Sequence, residues 1–130
     1  MTPELAALAA ALLVQMTTLA LMAVVANLEL GPRVTLSPRD PPLPPLSPGL
    51  GRHMRAVSNG FEGLILFAPA LLLVHLTGQS DAFTHVAAWA YVVARILYLP
   101  AYILGLVPWR SLFWAAGFLS TLTLILAALI

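Results

Sequence analysis

The residues with chemistry in this chain fall on two short stripes. Arg55, Asn59 and Glu62 are spaced i, i+4 and i+7, with Arg52 one turn earlier, so on a helix they share one face. Arg95, Tyr98 and Tyr102 stand at i, i+3 and i+7 and share another. Both stripes lie in apolar surroundings, where a lone charge costs about 2.5–3.5 kcal/mol on translocon scales. A partner offsets that cost, and Glu62 is the only acid within an apolar stretch. The expectation is therefore that Glu62 pairs with Arg95. A structural ion pair that fixes helix register would account for those two residues alone. The surplus argues for a ligand. Arg52, Arg55, Asn59, Tyr98, Tyr102 and Arg110 lie near the same level, and one acid cannot satisfy so many donors. An excess of guanidinium groups suits an anion.

The elements that carry these stripes follow from composition. The chain has 130 residues, 61% hydrophobic and only 8% charged, with a mean hydropathy of +0.96. Soluble domains carry about 25% charged residues. An ordinary soluble enzyme, a disordered chain and a nucleic-acid binder with a basic face are excluded. Four stretches are long enough to cross a bilayer: Leu5–Ala26, Val57–Thr77, Phe83–Leu104 and Ser111–Ile130. They are continuously apolar and rich in Leu and Ala, which favours helices over strands. The expected fold is an all-α integral membrane protein, a bundle of four transmembrane helices in one domain. The first stretch is read as a retained helix and not a signal peptide. Glu4 is the only charge before it, and it exceeds the usual 7–15 residues of an h-region.

The connections are unequal. The segment 27–56 holds Arg33, Arg39, Arg52 and Arg55, the third connection holds Arg110, and the second holds only Asp81. With four crossings, all five arginines fall on one side, which the positive-inside rule makes cytoplasmic. The first connection also contains seven prolines from Pro32 to Pro48 and reads as an extended, semi-rigid connector. Its PPLPP run is read as part of that connector and not as an SH3 ligand. His53 flanks the arginines, and His75 and His85 read as snorkelling residues at the far interface. The three histidines lack metal-site spacing, and no cysteine is present. Trp89, Trp109 and Trp114 read as interface or packing aromatics. Pro69 and Pro100 are expected to adjust their helices locally.

The segment Arg55-Ala56-Val57-Ser58-Asn59-Gly60-Phe61-Glu62 resembles the RAxxNxxE motif of the membrane-associated proteins in eicosanoid and glutathione metabolism, the MAPEG family. Ala94-Arg95-Ile96-Leu97-Tyr98-Leu99-Pro100-Ala101-Tyr102 resembles its ARxxYxxxY motif, and Pro108-Trp109-Arg110-Ser111 its PxRS segment. The resemblance implies a homotrimer with glutathione, as co-substrate, bound between neighbouring subunits. It implies glutathione contacts at Arg55, Asn59, Glu62, Tyr98 and Tyr102, a further one at Arg33, and thiol activation at Arg110. Arg95 joins that binding set through its stripe. A compact bacterial-type member in an inner membrane is also implied. The chain departs from the family's enzymes after Glu62, where Gly63-Leu64-Ile65 replaces a larger residue and a proline.

The function expected is that of a glutathione-dependent transferase or peroxidase acting on a small lipophilic electrophile from the bilayer, without metal or nucleic acid. Two alternatives stay open: a catalytically silent trimer of the same kind, and a small multidrug transporter. Transporters of that size place their key carboxylate in the first helix, whose apolar interior holds no acid here. The arginine asymmetry makes a separate prediction. A reporter active only in the cytoplasm, fused after Ile130, should stay silent, and one active only outside should respond; the reverse pattern would overturn the orientation.

Overall fold

The computed structural model contains four long helices and one helical turn: α1 Pro3–Leu30, α2 Pro32–Thr35, α3 Pro48–Thr77, α4 Ala82–Ile103 and α5 Trp109–Ala128. The long helices have 28, 30, 22 and 20 residues, and all four are apolar enough to cross a membrane. They alternate in direction. One end of the bundle gathers both termini and the turn at Gly78. The other gathers segment 31–47 and the α4–α5 connection. Large apolar side chains such as Leu13, Met16, Ile65, Val86 and Leu119 are exposed around the bundle, as the lipid-facing surface of a membrane protein requires.

Helix α1 ends, and α3 begins, outside the apolar stretches, so the irregular connection is shorter than the expected 27–56. α1 continues through Leu30 and α3 starts at Pro48, which places Arg52 and Arg55 on a helix. The cause is local. The Ser47 hydroxyl accepts the Leu50 N–H at 3.1 Å, and Pro48 occupies the first helical position, where a missing N–H costs nothing. Glu29, in the last turn of α1, accepts from the Ser47 N–H at 2.6 Å and its hydroxyl at 2.7 Å. The end of α1 is thereby tied to the start of α3. α4 opens with a reciprocal cap: Asp81 accepts the Thr84 N–H at 2.8 Å, and the Thr84 hydroxyl accepts the Asp81 N–H at 2.9 Å. The Thr84 backbone N–H holds the Asp81 carboxyl below its ordinary pKa.

The two ends differ in character. The apolar core lies toward the termini and is built from Ala7, Ala11, Phe67, Ala70, Leu71, Val74, Ala87, Ala88, Tyr91, Val92 and Leu124. Alanine dominates because helices in lipid associate by close backbone approach. Phe67 and Tyr91 stack within it at 3.8 Å between centroids. Above that core Glu4 is buried, with 1% of its surface exposed. Its carboxylate meets His75 Nδ1 at 3.1 Å, His85 Nε2 at 2.9 Å and the Ser80 hydroxyl at 2.6 Å. The two histidines expected to snorkel thus latch α1 to α3 and α4, because a buried carboxylate needs donors that a helix start alone does not give.

Between the ends, Gln15 of α1 donates to the Val57 carbonyl of α3 at 3.1 Å, and both residues are buried. Gly60 makes room for it: a Cβ there would overlap the Gln15 amide. Gly60→Ala should therefore destabilise the protein by about 1–3 kcal/mol, through a displaced amide and a lost hydrogen bond. The same change in a Gln15→Ala background should cost clearly less. Equal losses of thermal stability in the two backgrounds would show that the contact does not govern this crossing.

Candidate functional site

The residues of both stripes meet toward the arginine-rich end, where α3, α4 and α5 surround a cavity of about 430 Å³. Helix α3 contributes Arg55, Ser58, Asn59 and Glu62, α4 contributes Tyr98 and Tyr102, and α5 contributes Arg110, Ser111 and Trp114. Helical spacing on each element turns these side chains to one side. Tyr102 is the junction. Arg55 Nε donates to its hydroxyl at 3.3 Å, the Arg110 guanidinium lies 5.3 Å from its ring centroid, and its ring packs 5.4 Å from that of Tyr98.

Behind this wall Arg95 is buried at 9% exposure. Its Nη1 donates to Asn59 Oδ1 at 3.1 Å, and its guanidinium sits 4.6 Å from the Tyr98 ring centroid. The expected Glu62–Arg95 pair does not form. The chain's ion pairs all belong to Glu4, and Glu62 is exposed on the outward side of α3, at the cavity. An amide oxygen accepts from the guanidinium without a second ion being desolvated, so Asn59 is the less costly internal partner. The departure at Gly63 also acquires a reason. A Cβ on Gly63 would stand 3.0 Å from the Tyr91 hydroxyl and 3.7 Å from the Arg95 guanidinium carbon. Gly117 on α5 faces the Arg95 stem, where a Cβ would stand at an ordinary contact distance of 3.7 Å. A larger residue at Gly63 would press on the Tyr91 hydroxyl.

A second cavity of about 260 Å³ opens alongside the first and is mostly apolar. Leu66, Phe118, Leu122 and Ile125 line it together with Tyr91 and Arg95, and it shares Asn59, Glu62 and Trp114 with the polar cavity. Tyr91 and the double role of Trp114 are not read from the sequence motifs. Tyr91 stands four residues before Arg95, which continues the stripe of Arg95, Tyr98 and Tyr102, and that spacing is the available signal. Arg33 lies elsewhere, exposed on α2 and outside the lining of both cavities. His53 is buried, its Nε2 has no partner, and it lines neither cavity.

A comparison with protein families matches residues 6–130 to the MAPEG family. The chain belongs to the MAPEG family. Together with its four apolar helices, that makes it an integral membrane protein. No curated protein matches the chain at a significant level. No group of three His, Cys, Asp or Glu side chains in this MAPEG protein is arranged to hold a metal ion. At Glu4 the two imidazoles approach different carboxylate oxygens, His75 at Oε1 and His85 at Oε2.

The Arg95–Asn59 bond yields a test. Arg95→Leu and Asn59→Leu should each destabilise the unliganded protein, and in the double variant the losses should fall short of their sum by about 0.5–3 kcal/mol. Arg95→Leu combined with Glu62→Gln should be additive. Strong coupling to Glu62 and none to Asn59, in detergent unfolding, would contradict the geometry.

Proposed function

We propose that this MAPEG protein binds glutathione in the polar cavity and acts with it, as a transferase or peroxidase, on lipophilic electrophiles that arrive through the apolar cavity. The observation that carries the proposal is the adjacency of the two cavities across Asn59, Glu62 and Trp114. One is lined by guanidinium, amide, carboxylate and phenol groups; the other adds Leu66, Phe118, Leu122 and Ile125 and presents a mostly apolar surface. A volume of about 430 Å³ lies within the range usual for small-molecule sites.

The chemistry matches group by group. Glutathione carries two carboxylates, one ammonium and a thiol. Arg55 presents a fork suited to a carboxylate, and Asn59, Tyr98 and Tyr102 add neutral hydrogen-bonding groups. Glu62, unpaired in the protomer, accepts from the ammonium. Arg95 acts on the ligand through Asn59 and Tyr98, which it holds in place. Arg110 lies at the start of α5 and is exposed, free to approach the thiol. A free thiol ionises near 8.5, and lowering that by two units takes about 2.7 kcal/mol of preferential thiolate stabilisation. A guanidinium cannot take the proton, so the proton leaves to water while the cation stabilises the sulfur anion. The thiolate then attacks an electrophile partitioned from the bilayer.

The assembly proposed is a homotrimer, the number coming from the family resemblance. A carboxylate exposed on a spanning helix is costly against lipid, so the face bearing Glu62 is covered by a neighbouring protomer. Arg33, outside its own protomer's cavities, is available to a neighbour's site. The arginine-rich end faces the cytoplasm of a bacterial inner membrane, with both termini outside.

Purified protein in detergent, assayed for conjugation against a panel of electrophiles, tests the activity. Binding without turnover would establish the silent alternative. Arg110→Leu should lower turnover about 10- to 100-fold, reduce the thiolate absorbance of bound glutathione, and leave affinity within a few-fold. Arg55→Leu should weaken binding itself. If Arg110→Leu conjugates as fast as the parent, Arg110 is only a helix-end anchor and the thiol is activated elsewhere.

A further inference from the structure

Adjoining the polar cavity, with which it shares Arg55, Tyr102 and Arg110, lies a third cavity of about 250 Å³, lined also by Arg52, Gly105 and Val107. Three of its six lining residues are arginines and none is an acid. No carboxylate in the chain forms an ion pair with any arginine. Arg52 is held for the purpose by the α4–α5 connection. Its Nη1 lies 3.4 Å from the Ile103 carbonyl, and its guanidinium packs over Gly105. Gly105 has φ +68°, and a Cβ there would stand 3.0–3.3 Å from the guanidinium atoms. The turn thus needs glycine for its backbone and for the space that Arg52 occupies. One carbonyl satisfies one of five N–H donors, so most of the fork remains unengaged.

We infer that this cavity is a phosphate-binding subsite centred on Arg52, adjoining the place of the thiol tripeptide and sharing Arg55, Tyr102 and Arg110 with it. A carboxylate offers two oxygens in one plane and matches a single guanidinium fork. A phosphate group offers three or more oxygens in a tetrahedral array and can receive several forks at once. Three arginines without an acid around one small cavity suit the second shape. The cavity also lies at the arginine-rich end of the bundle, and Trp109, exposed at the start of α5, marks a headgroup level there. The same chemistry is met by a free phosphate ion and by the phosphate of an anionic lipid headgroup.

The test uses the full-length protein in a neutral detergent, stripped of lipid. Inorganic phosphate is titrated at constant ionic strength against a chloride control, with calorimetry and thermal stability as readouts. A parallel arm measures retention of phosphatidylglycerol, against phosphatidylcholine, by native mass spectrometry from nanodiscs. Saturable binding in either arm that Arg52→Gln weakens about tenfold or more supports the subsite, and the responding arm identifies the source. Arg52→Lys keeps the charge without the fork and should fall between. Because Arg52→Gln could also unfold the protein, its melting profile and its glutathione affinity are measured in parallel, and both should stay near the parent's. Asn59→Ala should spare phosphate binding, whatever it does to glutathione. Failure of glutathione binding in the parent would overturn the proposed function and leave this subsite standing. Two results overturn the subsite: no binding of either probe beyond the control, or loss of glutathione affinity in Arg52→Gln with phosphate acting only as its competitor.

Discussion

A guanidinium group buried in the span of a membrane helix must find acceptors from protein, and Arg95 finds them in Asn59 and the face of Tyr98. Much of the polar half of the bundle follows from that need. Gly63 and Gly117 lie beside Arg95, each with an Arg95 atom 3.7 Å from where a Cβ would stand. Asn59 is turned inward to Arg95 while it also lines the cavity, so the cation at the back fixes an amide at the front. Tyr98 is held between Arg95 and Tyr102, and Tyr102 in turn receives Arg55 and lies under Arg110. A neutral amide as partner leaves Glu62 free, which a direct ion pair would have consumed.

The two ends of the bundle solve different problems. Toward the termini, alanine-rich helices pack closely and one carboxylate, Glu4, gathers the donors of His75, Ser80 and His85. That end buries its carboxylate among imidazole and hydroxyl groups. Toward the other end, arginines outnumber the single acid, Glu62, around cavities that share Tyr102 or Asn59. Stability is concentrated at the first end, and the capacity to hold an anionic ligand at the second. A protein of only 130 residues can divide its length this way because the bilayer, and not a polar shell, covers its apolar exterior.

The four spans were legible from hydropathy, and the stripes from helical spacing. Both signals are periodic or long, so they survive without knowledge of packing. The partners were not legible. Spacing places Glu62 and Arg95 at a common depth, but it does not say which residue of α3 faces inward; that depends on the rotation of α3, set by Gly60 against Gln15. The start of α3 at Pro48 was hidden because hydropathy locates the hydrocarbon and not the helix, whereas Ser47-Pro48 carries the capping signal. Glu4 lies far in sequence from His75 and His85, and their cluster is visible only once α1, α3 and α4 are brought together. Tyr91 was within reach, one helical turn before Arg95, but it reads equally as an apolar core aromatic.

The central claim is that the cavity between α3, α4 and α5 binds glutathione in this protein. The most direct measurement is calorimetric titration of glutathione into the purified protein in detergent, for the parent and for Glu62→Gln. The expected result is saturable binding at no more than one molecule per protomer, weakened in the variant, which loses the carboxylate that faces the ammonium. Absence of saturable binding to well-folded parent protein, or binding that is unchanged in Glu62→Gln, would contradict it.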